Sequence, residues 1–281
     1  MIQKEYLRKI KLVVMDLDGT LVDDEDTISE ETVTLIKELR KMGVEFTIAT
    51  GRLLSAVLDH ADKLEIKIPL ITLDGTIVNR YPGEPSIFES FLNAKHVKRA
   101  ISLADKYFLT IALCHDSAIF YTEENAVLPT VLNKFGATFK EVYSYDNYLN
   151  ETLELVLCGD NKENVKHVAN KMSFPYTYGV RSSFYKSRDK GGTYYLEIRK
   201  MGSSKGDSMK KLQKHLNIKM KETAVVGDWY NDKSLFETDA VKIAIANAVP
   251  ELKKMADYVT KRTNNENGIA EFLTMLYKAK K

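Results

Sequence analysis

The stretch Leu12-Val13-Val14-Met15-Asp16-Leu17-Asp18-Gly19-Thr20-Leu21 decides the reading of this chain. A short apolar run with a β-branched centre ends abruptly at a polar turn, the pattern of a strand buried on both faces of a parallel sheet. Side chains two apart on extended backbone share a face, so Asp16 and Asp18 project together while Leu17 points away. Crowded carboxylates resist joint ionisation unless a cation or basic group lies between them, and a hard divalent ion such as Mg²⁺ is the natural remedy. Gly19 lets the chain turn back. For a single Asp-x-Asp-Gly the competing reading is an Asx turn that caps a strand.

Moving outward, Ser29 is a good N-cap, and Glu30 and Glu31 suit the positive first turn that follows. Leu35, Ile36, Leu39 and Met42 then repeat at helical spacing up to Gly43. Val44 to Ala49 reads as a second strand, Leu54 to Leu64 as a helix and Pro69 to Leu73 as a third strand. The alternation returns late in the chain: a helix from Lys205 to Leu216, strand Thr223–Val226, a helix from about Asn231, and strand Val241–Ala246. A helix opened by Pro250, strand Tyr258–Val259 and a last helix from Gly268 complete it. Between the two blocks, aromatic-rich short strands alternate with helices near 95–107 and 161–172. The expected fold is α/β, a doubly wound parallel sheet built from residues 1–84 and 197–281, interrupted by an α+β domain over 85–196. Its ligand crevice lies at the carboxyl ends of the parallel strands.

Composition narrows the function classes. The 281 residues carry 41 basic and 39 acidic side chains, a formal charge of +2, which argues against a nucleic-acid surface or an anionic membrane as partner. No apolar run approaches the ~20 residues that span a bilayer, and the first residues lack the apolar core of a signal peptide. Cys114 and Cys158 match no metal spacing and read as reduced structural thiols, so a cytoplasmic protein is expected. None of the five histidines pairs with a Ser or Cys motif, and no Gly-x-Ser-x-Gly elbow is present, which leaves acyl transfer unsupported. The sequence carries no signal of oligomeric state.

Four segments in order carry a resemblance to a known family: DLDGTL at 16–21, ATGR at 49–52, SKGDSMKKL at 204–212 and GDWYND at 227–232. The chain resembles the haloacid dehalogenase superfamily, and its tail at 246–273 is similar to the closing segment of Cof-type phosphatases with a type IIB cap. The resemblance implies an Mg²⁺-dependent phosphatase acting on small soluble phosphomonoesters such as sugar phosphates. Asp16 then matches the nucleophile that forms an aspartyl-phosphate, and Asp18 the acid and base, protonated during the first step. Thr50 and Gly51 match the phosphate-binding turn, with a hydroxyl and backbone N–H groups, and Lys205 the ammonium that neutralises phosphate and holds the nucleophile anionic. The implied metal set is Asp16, the Asp18 carbonyl and Asp228. Asn231 and the Leu17 amide match phosphate contacts, Arg52 is a looser candidate facing the substrate, and Asp232 steadies the metal ligands or Lys205 from behind.

Where relatives commonly end the third strand in Asn-Gly-Ala, this chain reads Leu73-Asp74-Gly75-Thr76. Thr72 stands where a partner carboxylate would be needed, so the segment reads as a hairpin turn between Ile71 and Val78, a decoy for the nucleophile. The inserted domain is expected to lie over the crevice and choose the leaving group; Arg181, Tyr185, Lys186 and Glu197 are candidates on its later strands. Two alternatives stay open from sequence: a phosphomutase of the same superfamily, and a non-catalytic binder of phosphorylated metabolites.

Overall fold

The computed structural model describes residues 2–80, 84–125, 138–186 and 192–281. It comprises two units, one of Met1–Gly51, Val57–Phe88 and Ser204–Lys281, the other of Arg52–Ala56 and Glu89–Ser203. In the first unit β1 (Leu12–Met15) has every residue buried, as an all-apolar run at the centre of a parallel sheet must. The Ser29 hydroxyl accepts the Thr32 N–H at 3.2 Å and opens the crossover helix Glu30–Lys41, which delivers the chain to β2 (Glu45–Ile48). β3 (Leu70–Thr72) and β4 (Ile77–Asn79) form an antiparallel hairpin in which Ile71 faces Val78. β5 (Phe88–Glu89) adds a third strand to this small sheet. A parallel bridge from Ala49 to Ile71 aligns β3 with β2.

The second unit is built on a six-stranded sheet of β6 (Thr110–Cys114), β7 (Ile119–Tyr121), β8 (Phe139–Glu141), β9 (Glu154–Gly159), β10 (Val180–Lys186) and β11 (Tyr194–Lys200). The strand order is β10-β11-β9-β6-β7-β8, and only β7 and β8 run parallel. Alternation along β6, β9 and β11 sends Ile111, Leu113, Leu155, Leu157, Leu196 and Ile198 into one core. Val97, Ala100 and Ala104 from helix Ala94–Lys106 join that core, with Val165 and Val168 from helix Lys162–Lys171. Cys114 and Cys158 are free and buried in this unit, and burial pushes both thiols up, as inert structural cysteines require. The expected limits at 84/85 and 196/197 fall within this architecture at 88/89 and 203/204. β11 runs past Glu197, with Arg199 opposite both Arg181 and Glu154, so its last residues cannot leave the sheet early.

The chain returns to the first unit through helix Lys205–Leu216 and adds β12 (Thr223–Gly227), β13 (Val241–Ala244) and β14 (Tyr258–Val259). The sheet order β14-β13-β12-β1-β2 is parallel throughout. Connections from β1 step one way, to β2 and β3, and those from β12 step the other, so the topological switch lies between β1 and β12. In open α/β sheets the ligand crevice lies outside the carboxyl ends of such a pair. Leu12, Val14 and Val225 pack with Met209 and Leu212 beneath it. No helix among the described residues is long and apolar enough to cross a membrane.

Candidate active site

Asp16 follows β1 directly, and its N–H donates to the Val226 carbonyl of β12 at 2.9 Å. Asp228 follows β12 in the same way, so the sheet register alone sets the two carboxylates side by side. Lys205 opens its helix behind Ser204, whose hydroxyl accepts the Asp207 N–H at 3.1 Å. The fully buried Lys205 ammonium donates to Asp16 Oδ1 at 2.5 Å and to Asp232 Oδ1 at 2.7 Å. Asp74 Oδ1 stands 3.7 Å from the same nitrogen. The other oxygen of Asp232 accepts the N–H groups of Asp228 at 3.0 Å and Trp229 at 3.2 Å, so this side chain ties the lysine to the loop that carries Asp228. Gly227 admits it: a Cβ there would stand 2.5 Å from Asp232 Oδ2.

The electrostatics are unbalanced. Ligand-capable oxygens of Asp16, Asp228 and Asp232 lie within 4.8 Å of one another, all on buried residues. Burial, then Asp232, Asp228 and Asp18, push the Asp16 carboxyl well above the usual carboxylate range, against the pull of Lys205. Burial also works against the Lys205 charge, but Asp16, Asp232 and Asp74 overcome it and raise that ammonium above its ordinary value. One lysine therefore serves three carboxylates, with Asp228 alongside. Asp228 is further oriented by Thr20, whose hydroxyl donates to Oδ1 at 3.2 Å, and by Asn247, whose amide donates to Oδ2 at 3.3 Å and to the Gly19 carbonyl at 2.8 Å. Hard carboxylate oxygens packed this closely are a donor set that fits Mg²⁺.

The other residues singled out in the sequence fall as follows. Leu17 is buried, and its carbonyl accepts N–H bonds from Thr20, Leu21 and Val22, which winds the turn; Asp18 is exposed, bridged to Val22. Thr50 is buried, but its N–H is committed to the Ile71 carbonyl at 2.9 Å, so the expected backbone donor at that residue belongs to the sheet. Gly51 follows it at the turn. Arg52 is buried and groups with the second unit. Asn231 donates to Asp74 Oδ1 at 2.9 Å, and its buried Oδ1 has no hydrogen-bond partner among the described residues. Of the four candidates in the second unit, Glu197 is buried, Tyr185 half-buried and Arg181 and Lys186 exposed.

Thr20, Asn247 and Asp74 were not anticipated as site residues. Thr20 and Asn247 lie inside quoted motifs and carry no catalytic signature of their own. Asp74 does form the expected hairpin turn, yet its carboxylate points into the site.

A sequence profile for haloacid dehalogenase-like hydrolases matches residues 13–273, from β1 to the last helix. The chain belongs to that family. Among curated relatives, this haloacid dehalogenase-like hydrolase is 27% identical to the phosphatase YwpJ of Bacillus subtilis over 95% of the chain and all of that protein. It is 25% identical to YitU of the same organism, a 5-amino-6-(5-phospho-D-ribitylamino)uracil phosphatase, over 93% and 96% of the two chains. A haloacid dehalogenase-like hydrolase from Bacteroides thetaiotaomicron shares the fold with a TM-score of 0.81 at 22% identity, covering 94% of this chain and 98% of the other. The subclass IIB sugar phosphatase BT4131 shares it with a TM-score of 0.78 at 23% identity, covering 94% and 98%. The parallel sheet with an inserted α+β domain is thus the family fold, as the motif resemblance implied.

Proposed function

We propose that this hydrolase is an Mg²⁺-dependent phosphatase that hydrolyses small phosphomonoesters, sugar phosphates or similar metabolites, through an aspartyl-phosphate on Asp16. The observation that carries the reading is the pairing of Asp16 with the buried Lys205 ammonium at 2.5 Å, beside the carboxylate of Asp228 at the switch point of the sheet. The free, buried thiols Cys114 and Cys158 accord with action in the cytoplasm.

Each residue then has a physical role. Asp16 attacks phosphorus with one carboxylate oxygen, and the ester P–O bond breaks as the new one forms. Asp18, exposed two residues on, gives its proton to the departing ester oxygen. It then takes a proton from the water that attacks phosphorus and frees Asp16. Lys205 keeps Asp16 anionic before attack and balances phosphoryl charge afterwards; Asp232 holds Lys205 in place. Asp16, the Asp18 carbonyl and Asp228 would hold Mg²⁺, which when bound supplies charge neutralisation at the phosphoryl oxygens. Gly51, Asn231 and Lys205 receive the phosphoryl group, with Leu17, Thr50 and Arg52 beside them in the motifs.

The test is release of inorganic phosphate from a panel of sugar and polyol phosphates with Mg²⁺ present. Stoichiometric release with saturable kinetics is expected for at least one of them. Conversion of one phosphorylated isomer into another without release would instead identify a mutase, and binding without either reaction a non-catalytic protein.

A further inference from the structure

Asp74 lies in a place where an anion has no obvious use. Its carboxylate is buried, with 4% of the residue exposed, and its neighbours include groups of the candidate site. It accepts the Asn231 amide at 2.9 Å, lies 3.7 Å from the Lys205 ammonium, and faces Gly51 so closely that a Cβ there would be 3.5 Å from both of its oxygens. Gly51, Asn231 and Lys205 are the groups assigned above to the phosphoryl group. The Asp74 oxygen also stands no farther than one lysine head group from the nucleophile, because the same ammonium reaches Asp16 Oδ1 at 2.5 Å.

The backbone is bent to keep it there. Leu73 and Asp74 both adopt left-handed conformations, with φ of 45° and 48°, a region that disfavours side chains such as Leu. The Asp74 N–H is held by the Thr50 carbonyl at 2.9 Å. Gly75 follows at φ 92°, so close to the start of the lysine helix that a Cβ would stand 2.3 Å from the Ser204 carbonyl oxygen. This turn is therefore pinned between the phosphate turn at Thr50–Gly51 and the Lys205 helix, and its carboxylate cannot swing out without moving one of them.

We infer that Asp74 is an affinity-setting residue of the phosphoryl subsite: a fixed negative charge that weakens the hold on dianionic phosphate and so hastens discharge of the inorganic phosphate product. The inference rests on the phosphatase reading above. Its physical basis is repulsion at short range from a buried carboxylate, where like charges a few ångströms apart act more strongly than in bulk solvent. Because a carboxylate only accepts, Asp74 also forces Asn231 to spend an amide proton on it and leaves less of that donor for the ligand. The penalty falls on substrate and product phosphoryl groups alike, which is the signature of ground-state binding rather than of transition-state stabilisation.

Asp74→Asn isolates the charge. Asn is isosteric, tolerates the left-handed backbone better than most residues, and keeps a carbonyl oxygen to accept from Asn231. With Mg²⁺ present, the competitive inhibition constants of inorganic phosphate and orthovanadate are expected to fall about tenfold in the variant, with the KM of an ester substrate falling in parallel. Asp74→Gly, which also suits a positive φ, removes the charge and the acceptor together and is expected to move both constants in the same direction. Melting curves of both variants establish that the compared proteins are folded. Unchanged or weaker inhibition in folded Asp74→Asn would overturn the role of Asp74 and leave the phosphatase reading intact. Absence of phosphate release from every ester by wild type would overturn both.

Discussion

Each unit holds a buried charge cluster among its described residues, and the two are assembled differently. In the second unit Arg199 donates to Glu154 at 2.8 Å and to Glu197 at 2.5 Å, and the Tyr185 hydroxyl donates to Glu197. All four residues lie on adjacent strands, and Arg199 is the register partner of Glu154, so ordinary pairing assembles the cluster. In the first unit the cluster around Lys205 gathers Asp16, Asp74 and the loop bearing Asp228 and Asp232 from three distant stretches of the chain. Its members touch only because parallel strands end side by side. The first arrangement shares one guanidinium between two carboxylates and adds a neutral donor; the second sets three carboxylates around one ammonium, with a fourth alongside. The first is assembled by strand pairing within a sheet, the second at strand ends, where an open α/β sheet places its ligand crevice.

Removing the proposed nucleophile separates the two most sharply. Asp16→Asn is expected to lower phosphate release from p-nitrophenyl phosphate by about 10³-fold or more. Its melting temperature should hold or rise, because one of the repelling carboxylates has gone. A variant that still turned over, or that melted far below wild type, would place Asp16 on the structural side of the comparison. Arg199→Met is the mirror experiment: it strands Glu154 and Glu197 in a buried sheet face and is expected to cost about 3–5 kcal/mol in denaturant unfolding. Adding Glu154→Gln and Glu197→Gln should restore much of the loss; failure to do so would show that packing, not charge, dominates there.

Mg²⁺ should stabilise the folded protein by about 2.7 kcal/mol at a concentration a hundredfold above its dissociation constant, read as a rise in melting temperature. Asp228→Asn should abolish the rise. The increment should also grow with pH, because metal ligands bind deprotonated and the Asp16 carboxyl is held high in the metal-free protein. The smallest expected effect lies in the second unit at His115, whose ring burial holds below its ordinary value of 6.5 while its Nε2–H donates to the Tyr148 carbonyl at 2.9 Å. A depressed histidine favours the neutral form on folding, so its contribution is present above pH 6.5 and declines as pH falls below that value. A His115→Gln variant should show a flatter loss of stability between neutral pH and pH 5, measured by denaturant midpoint.

What could be read from the sequence follows the same division. Asp16, Lys205 and Asp228 sit at strand or helix ends that local patterns mark, so their convergence follows once the sheet is known to be parallel. The helix Lys205–Leu216 matches its expected span because Ser204 caps it and Asn217 ends it in the left-handed conformation. Asp74 was out of reach: as a hairpin turn its local signal is complete, and its role depends on Asn231 and Lys205, which are more than 100 residues away. Asn247 and Thr20 act through single hydrogen bonds to Asp228, which leave no pattern in the chain. The division after β11 falls at 203/204 rather than 196/197 because the strand stays paired through Lys200.

Ser90, the second residue of the inserted stretch, and Ser203, its last, meet through their hydroxyls at 2.5 Å. An insert whose ends coincide imposes almost no closure penalty on its host, since the gap it must span is the width of a single chain crossing. Replacing residues 89–203 by a short loop is expected to leave the connectivity of the parallel sheet intact, with Arg52–Ala56, which belong to the same unit, left behind on the core. The inserted domain is thus joined to its host at a single narrow seam.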